Sequence, residues 1–179
     1  LALCIVAWSW SAGGCSPTTS LPGQGEDQDA VVAYRDQWGV PHIYAPTEEA
    51  GVWAMGWLQA EDRPEELLKN FLRGMGEIAS VEGPGAVRSD LIALLWDNYN
   101  LCRSRLDDLS PRTRRLTQAY VRGVNDYYRH HPQDLPEWWG DRQVDEAMVH
   151  AFGRLFLYNW SISDGFQDLR RGGIEPNFA

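Results

Sequence analysis

Apolar residues recur at Leu116, Ala119, Tyr120, Val124 and Tyr127, with polar residues between them. Those intervals gather the apolar side chains on one face of a helix. Ser110-Pro111 supplies a cap and a first-turn proline ahead of it, and Pro132 closes it. A second helical stretch opens at Thr47, a good N-cap, with Glu48 and Glu49 placed to complement the helix dipole, and runs toward Asp62. Pro64, with Glu65 and Glu66 beside it, starts a third. A fourth is expected from about Asp145 through Ala151, Phe152, Leu155 and Phe156. Only one run, VVAYR (31–35), reads as a β-strand, stopped by the turn-forming DQWG. A lone strand is not stable, so its neighbours are expected from elsewhere. The C-terminal RRGGIEPNFA, punctuated by Gly and Pro, reads as irregular, and no internal repeat is visible.

The pattern divides the chain into three parts. Residues 1–15, LALCIVAWSWSAGGC, are an apolar run ending in small residues and a cysteine, as in a bacterial secretory leader. AGGC resembles a lipobox, which would acylate Cys15 and anchor the protein to a membrane; the other reading is a plain signal peptide cut nearby. Either implies export, to the periplasm or to a membrane-anchored lipoprotein. Residues 16–29, SPTTSLPGQGEDQD, are polar and acidic and read as a flexible tether. Residues 30–179 form the folded region, in which no eighteen-residue apolar stretch suggests a membrane span.

Composition narrows the function. The 179 residues suffice for one domain with a core. Nine tryptophans are many for this length, and those after Trp8 and Trp10 need burial, an interface or an apolar pocket. A net charge of −9 disfavours nucleic acid as a partner. The densest basic cluster, RTRR (112–115), reads as a solvated helix face. With Cys4 and Cys15 in the leader, Cys102 has no partner for an internal disulfide and reads as inert.

Generic catalytic motifs are absent: no G-x-S-x-G, H-E-x-x-H, C-x-x-C or Walker A. GMGEIA (74–79) fits G-x-G-x-x-A but follows a helical pattern rather than a strand. His130 and His131 stand at a helix end, where imidazoles bond the last carbonyls. His150 reads as a packed histidine, and no histidine pair has zinc-ligand spacing. The NWS triplet (159–161) fits a glycosylation acceptor that a bacterial leader would leave idle. His42, just past the Gly39-Val40 turn, is either a base or a corner of the fold. No catalytic constellation assembles from this chain alone.

Five ordered motifs carry a resemblance: VVAYRDQWGVPHIYA (31–45), GWLQAEDR (56–63), GMGEIASVEG (74–83), AYVRGVNDYY (119–128) and LPEWW (135–139). Together they resemble the α-chain of the penicillin acylase family, which includes cephalosporin and acyl-homoserine-lactone acylases. The resemblance implies an N-terminal nucleophile hydrolase, of α+β class. The chain would be the mostly helical α-chain portion of a four-layer αββα fold completed by a missing β-chain. That β-chain, cut from the same precursor, would supply the strand neighbours, the oxyanion donors and the nucleophile, usually serine. EPNFA resembles the sequence before that residue, so Ser is expected immediately after Ala179, and no catalytic residue in this chain. The nucleophile's own α-amine, with an ordinary pKa of about 7.7–8.0, serves as base without a histidine. His42 is then structural, fixing its turn through a ring hydrogen bond.

The same resemblance places Leu157 and Tyr158 in the acyl pocket, where well-studied relatives carry Arg-Phe. The aromatic is kept in kind and the arginine is not, so a penicillin-like substrate does not follow; core packing is the other reading of both. Asp164 falls where the family supplies a carboxylate to a structural calcium ion, and otherwise reads as a solvated helix-end acid. No organic cofactor is implied. The leading expectation is an amide hydrolase acting on a small N-acylated substrate such as a β-lactam or acyl-homoserine lactone. A catalytically silent lipoprotein keeping the fold as a binding module is the alternative. A self-contained helical hydrolase using His42 is a third.

Overall fold

The computed structural model describes Thr19–Ser20 and residues 31–174. Cys15 and its leader, most of the tether and the final EPNFA lie outside the described residues. The chain divides into two compact units, Leu1–Pro46 and Thr47–Ala179.

The first unit holds a three-stranded antiparallel sheet in the order β1 (Thr19–Ser20), β2 (Val32–Arg35), β3 (Pro41–Tyr44). The expectation of a strand without a partner in the chain is therefore corrected. β2 pairs with β3 from Val32 opposite Tyr44 to Arg35 opposite Pro41, and with the two residues of β1 on its other side. Pro41 disguised β3, but a proline at the first position of an edge strand removes no donor that the ladder needs. Tyr34 and Tyr44 pack edge to face, with ring centroids 5.6 Å apart. The Asp36 N–H donates to the Val40 carbonyl at 3.1 Å, closing the turn through Gly39, whose φ of 81° suits glycine.

In the second unit α1 (Glu48–Asp62) and α6 (Pro111–His130) make the most extensive helix pair. Their ends follow the expected caps: Thr47 Oγ1 accepts from the Ala50 N–H at 3.1 Å, and Ser110 Oγ from Thr113 at 3.1 Å. The helices cross backbone to backbone. A Cβ added to Gly56 would lie 2.3 Å from the Tyr120 carbonyl oxygen, and one on Gly123 2.0 Å from that of Trp53. Around the crossing, Trp53, Trp57, Val124 and Tyr127 are buried. The Trp53 indole donates to the buried Asp126 carboxylate at 2.8 Å, so a polar pair is satisfied inside the apolar seam. The RTRR cluster is solvent-exposed as expected, and it reaches α1: Arg112 grips Glu48 at 2.7 and 2.9 Å and Arg115 meets Glu49 at 3.3 Å.

α2 (Pro64–Met75) packs across α7 (Glu146–Arg171), again through a glycine, since a Cβ on Gly74 would meet the Phe152 nitrogen at 2.6 Å. Asp145 caps α7 through the Met148 N–H at 2.9 Å. Between α2 and α6 run three short helices that periodicity did not announce: α3 (Ala79–Glu82), α4 (Val87–Leu95) and α5 (Asn98–Ser104). α7 is one-sided only as far as Leu155, and none of its residues after that is buried. Ala147, Met148, Ala151 and Leu155 are buried, whereas Phe156, from the run that marked this helix, is 57% exposed and Trp160 60%. Among the described residues no helix is long and apolar enough to cross a membrane.

Gly123→Ala should cost about 1–3 kcal/mol of stability, the range for forcing atoms into a packed core. Gly153→Ala, which meets nothing within 4 Å, should not. Urea unfolding of the two variants in the full-length protein checks the contrast.

Candidate functional site

A groove of about 580 Å³ opens between α7 and the α5 segment with the short turn Leu106–Asp108 that follows it. Its wall is mostly apolar, and its size suits a small organic ligand. Leu157 and Tyr158, the two residues expected to hold an acyl group, both line it, and Leu157 is 63% exposed. Their setting is richer than the sequence suggested. Tyr158 stacks on Trp96 with centroids 5.1 Å apart and planes 13° from parallel. The Arg154 guanidinium lies 4.9 Å from the Tyr158 ring centroid, a cation–π distance. Arg154 Nε in turn donates to Asn98 Oδ1 at 2.9 Å.

Sequence reasoning missed Trp96, Asn98 and Arg154. The one available signal was Arg154 four residues before Tyr158, a spacing that puts both on one face of a helix. Cys102 also lines the groove, and burial pushes its thiol pKa up, away from the reactive thiolate. Outside the groove wall, Leu91, Leu94 and Leu95 of α4 and Phe156 and Trp160 of α7 are also exposed apolar side chains.

Other candidates resolve into structural roles. The amides of Ile78 and Ala79 in GMGEIA donate to the buried Asp90 carboxylate at 2.9 and 2.8 Å. The chain's own anion occupies the place a phosphate would need. His130 and His131 Nδ1 meet the carbonyls of Asp126 and Tyr127 at 2.8 and 3.1 Å, as helix-end imidazoles should. His150 Nε2 lies 3.2 Å from Thr117 Oγ1, a hydroxyl–imidazole pair of the kind that activates nucleophiles. Here the hydroxyl proton goes to the Thr113 carbonyl at 3.1 Å, so the imidazole must be the donor and the hydroxyl is not activated. Burial lowers the His150 pKa, which keeps the ring neutral.

His42 stands at the hairpin, with Nε2 3.3 Å from Asp36 Oδ2. The other oxygen of Asp36 accepts the N–H of Trp38 at 2.9 Å and of Val40 at 3.0 Å. The imidazole thus steadies the carboxylate that shapes the turn, the structural role expected for it. Desolvation pushes the Asp36 pKa up, but the two amides and His42 outweigh it and leave the carboxyl below its ordinary value.

Asp164 is exposed on α7 and is not part of the groove wall. Among the described residues no group of three or more His, Cys, Asp or Glu is gathered to hold a metal ion. Calcium takes six to eight oxygens, so one carboxylate does not by itself fit the ion.

The described residues thus form a helical scaffold with an open, mostly apolar groove between α5 and α7. Residues 30–168 match the penicillin amidase family, and the chain belongs to that family. It is 29% identical over 163 residues to an acyl-homoserine lactone acylase, QuiP, of Pseudomonas aeruginosa, a match covering 85% of this chain but 18% of that protein. It is 30% identical over 110 residues to the penicillin acylase 2 proenzyme of Pseudomonas sp. strain SE83, covering 62% of this chain and 14% of the proenzyme. The chain thus spans less than a fifth of the length of both relatives. Among solved structures, a thermostable penicillin G acylase from Alcaligenes faecalis superposes with a TM-score of 0.59 at 23% identity, over 79% of this chain and 76% of that one. At that identity the likeness is one of fold.

The Asp36 turn carries a pH dependence of definite sign. A carboxyl held below its ordinary value of 3.8 stabilises the turn above that pH, and the contribution is lost as pH falls through the depressed value. The carboxyl carbon of Asp36, followed by NMR, should titrate with a midpoint under 3.8. His42→Gln, which keeps a donor for Asp36, should leave amide hydrolysis by the full-length protein unchanged. A collapse of kcat in that variant would make His42 catalytic.

Proposed function

We propose that this chain is the α-subunit region of a self-processing acylase that hydrolyses a linear carbon–nitrogen bond of a small N-acylated amide, such as a β-lactam or an acyl-homoserine lactone. The observation that carries the reading is the apolar groove with Leu157 and Tyr158 in its wall, on a scaffold of the penicillin amidase family. Relatives named as acyl-homoserine lactone acylase and penicillin acylase support the same class of substrate.

The division of labour rests on what this chain lacks and what it offers. The groove takes the acyl chain and excludes water from it, contributing about 25 cal/mol for each Å² of apolar surface covered. The reacting groups belong to the β-chain that continues after Ala179 and completes the four-layer fold. There the hydroxyl of its first residue, expected to be Ser, attacks the amide carbon while its own α-amine takes the proton. The C–N bond breaks, the amine leaves with that proton, and water then releases the acid and restores the hydroxyl. The exposed apolar side chains of α4, and those of α7, are where the β-chain would pack. Export, with or without acylation of Cys15, would place the reaction outside the cytoplasm. Asp164 can give calcium one ligand at most, so such an ion would draw its remaining oxygens from the β-chain, and no step depends on it.

Mass spectrometry of the full-length product should find two fragments, the second beginning with the residue after Ala179. Replacing that residue by alanine should abolish both cleavage and turnover. Tyr158→Ala should raise KM for N-acyl amides by about tenfold, the scale of lost pocket contacts. A single uncut chain that binds acyl amides without turning them over would instead establish the binding-module alternative.

A further inference from the structure

α4 ends at Leu95 and α5 begins at Asn98, so the two helices are joined by Trp96 and Asp97 alone. Asp97 has φ 46° and ψ 44°, and it is the one non-glycine with positive φ among the described residues. Side chains disfavour this left-handed conformation, aspartate and asparagine least. The reversal aims two neighbours at the same face of α7. Trp96 meets Tyr158 by stacking, and Asn98 meets Arg154, one helical turn earlier, by a hydrogen bond. Arg154 then closes the circuit by lying over the Tyr158 ring.

We propose that this Trp96–Asp97–Asn98 corner is the positioning element that sets acyl selectivity, by fixing Arg154 and through it the Tyr158 ring in the groove wall. The inference rests on the reading of the groove as the acyl subsite. Two observations separate it from ordinary core packing. Asn98 is only 1% exposed, and the bond its side chain makes among the described residues is the one in which Oδ1 accepts from Arg154 Nε, with no partner for Nδ2. Tyr158 is half-buried in the groove wall and its stacking partner Trp96 is 43% exposed, so the stack is not interior packing. A half-exposed ring pair with one member in a groove wall does less for the fold than for what enters the groove. A ring clamped between an indole and a guanidinium leaves the groove one shape, and one methylene more or less in such a pocket is discriminated by about 10–200-fold.

The test uses the processed full-length protein and amides of a single amine with acyl groups from butanoyl to dodecanoyl. The wild type should show a sharp optimum in kcat/KM along the series. Asn98→Ala and Trp96→Leu should flatten that optimum by about tenfold, with the change in KM for the favoured chains rather than in kcat. Asn98→Asp should keep the optimum, because its carboxylate still accepts from Arg154 and the guanidinium offsets the charge it brings. Asp97→Gly, at home in the left-handed region, should keep it too. Should an alanine or leucine variant fail to fold, Trp96→Phe and Arg154→Lys, which change the same contacts more gently, should flatten it partially. The proposal is overturned if the corner variants lower kcat/KM equally for every chain, or shift only the melting temperature, while Tyr158→Ala does alter the optimum. An optimum untouched by Tyr158→Ala would instead remove the acyl-subsite reading itself.

Discussion

The helical unit is organised by the place where α1 and α6 touch backbone to backbone. Gly56 and Gly123 have no room for a methyl group there, each facing a carbonyl oxygen of the opposite helix. So close an approach fixes the crossing point, because sliding either helix by one residue would bring a side chain against a main-chain oxygen. Trp53 and Asp126 add a directional bond at the same seam, and Trp57 and Tyr127 fill the angle beside it with ring centroids 5.6 Å apart. A second glycine contact, Gly74 against Phe152, seats α7 on α2 by the same device.

This packing holds the first part of α7, through Leu155, along one side and leaves the rest of the helix without a buried residue. The buried residues of α7 grip the scaffold, while Leu157 and Trp160 stand exposed and Tyr158 is half-buried in the groove wall. Several features that resemble chemistry are used up inside the scaffold. Asp90 fills the amides that a phosphate would have needed, Thr117 spends its hydroxyl proton on a backbone carbonyl, and three histidines serve helix ends or the Thr117 hydroxyl. The groove beside Tyr158 stays open among the described residues, in a chain of the penicillin amidase family.

Helix starts were the most legible feature, because a cap is a local event. Thr47, Pro64, Ser110 and Asp145 each begin a helix where the sequence placed one. Leu157 and Tyr158, singled out through resemblance, both line the groove. The partner of β2 was missed because β3 is four residues long and opens with proline, so neither length nor composition marks it. The helices α3 to α5 were missed for a related reason: they are short, and α4 turns much of its apolar surface outward, so no period stands out. Trp96 and Asn98 carry no motif at all. Their importance comes from residues roughly sixty positions downstream that the sequence cannot place beside them.

By itself the sequence determined the starts of the four principal helices, the family and the lack of a self-contained catalytic motif. All of these depend on neighbours a few positions apart or on motifs read in order. Only the tertiary structure decided which amides and hydroxyls were already spent, which apolar side chains stayed outside, and that a left-handed aspartate joins Trp96 and Asn98 to α7. Those outcomes depend on backbone approach between elements distant in the chain, where the position of a single Cβ or carbonyl oxygen settles what can be neighbours.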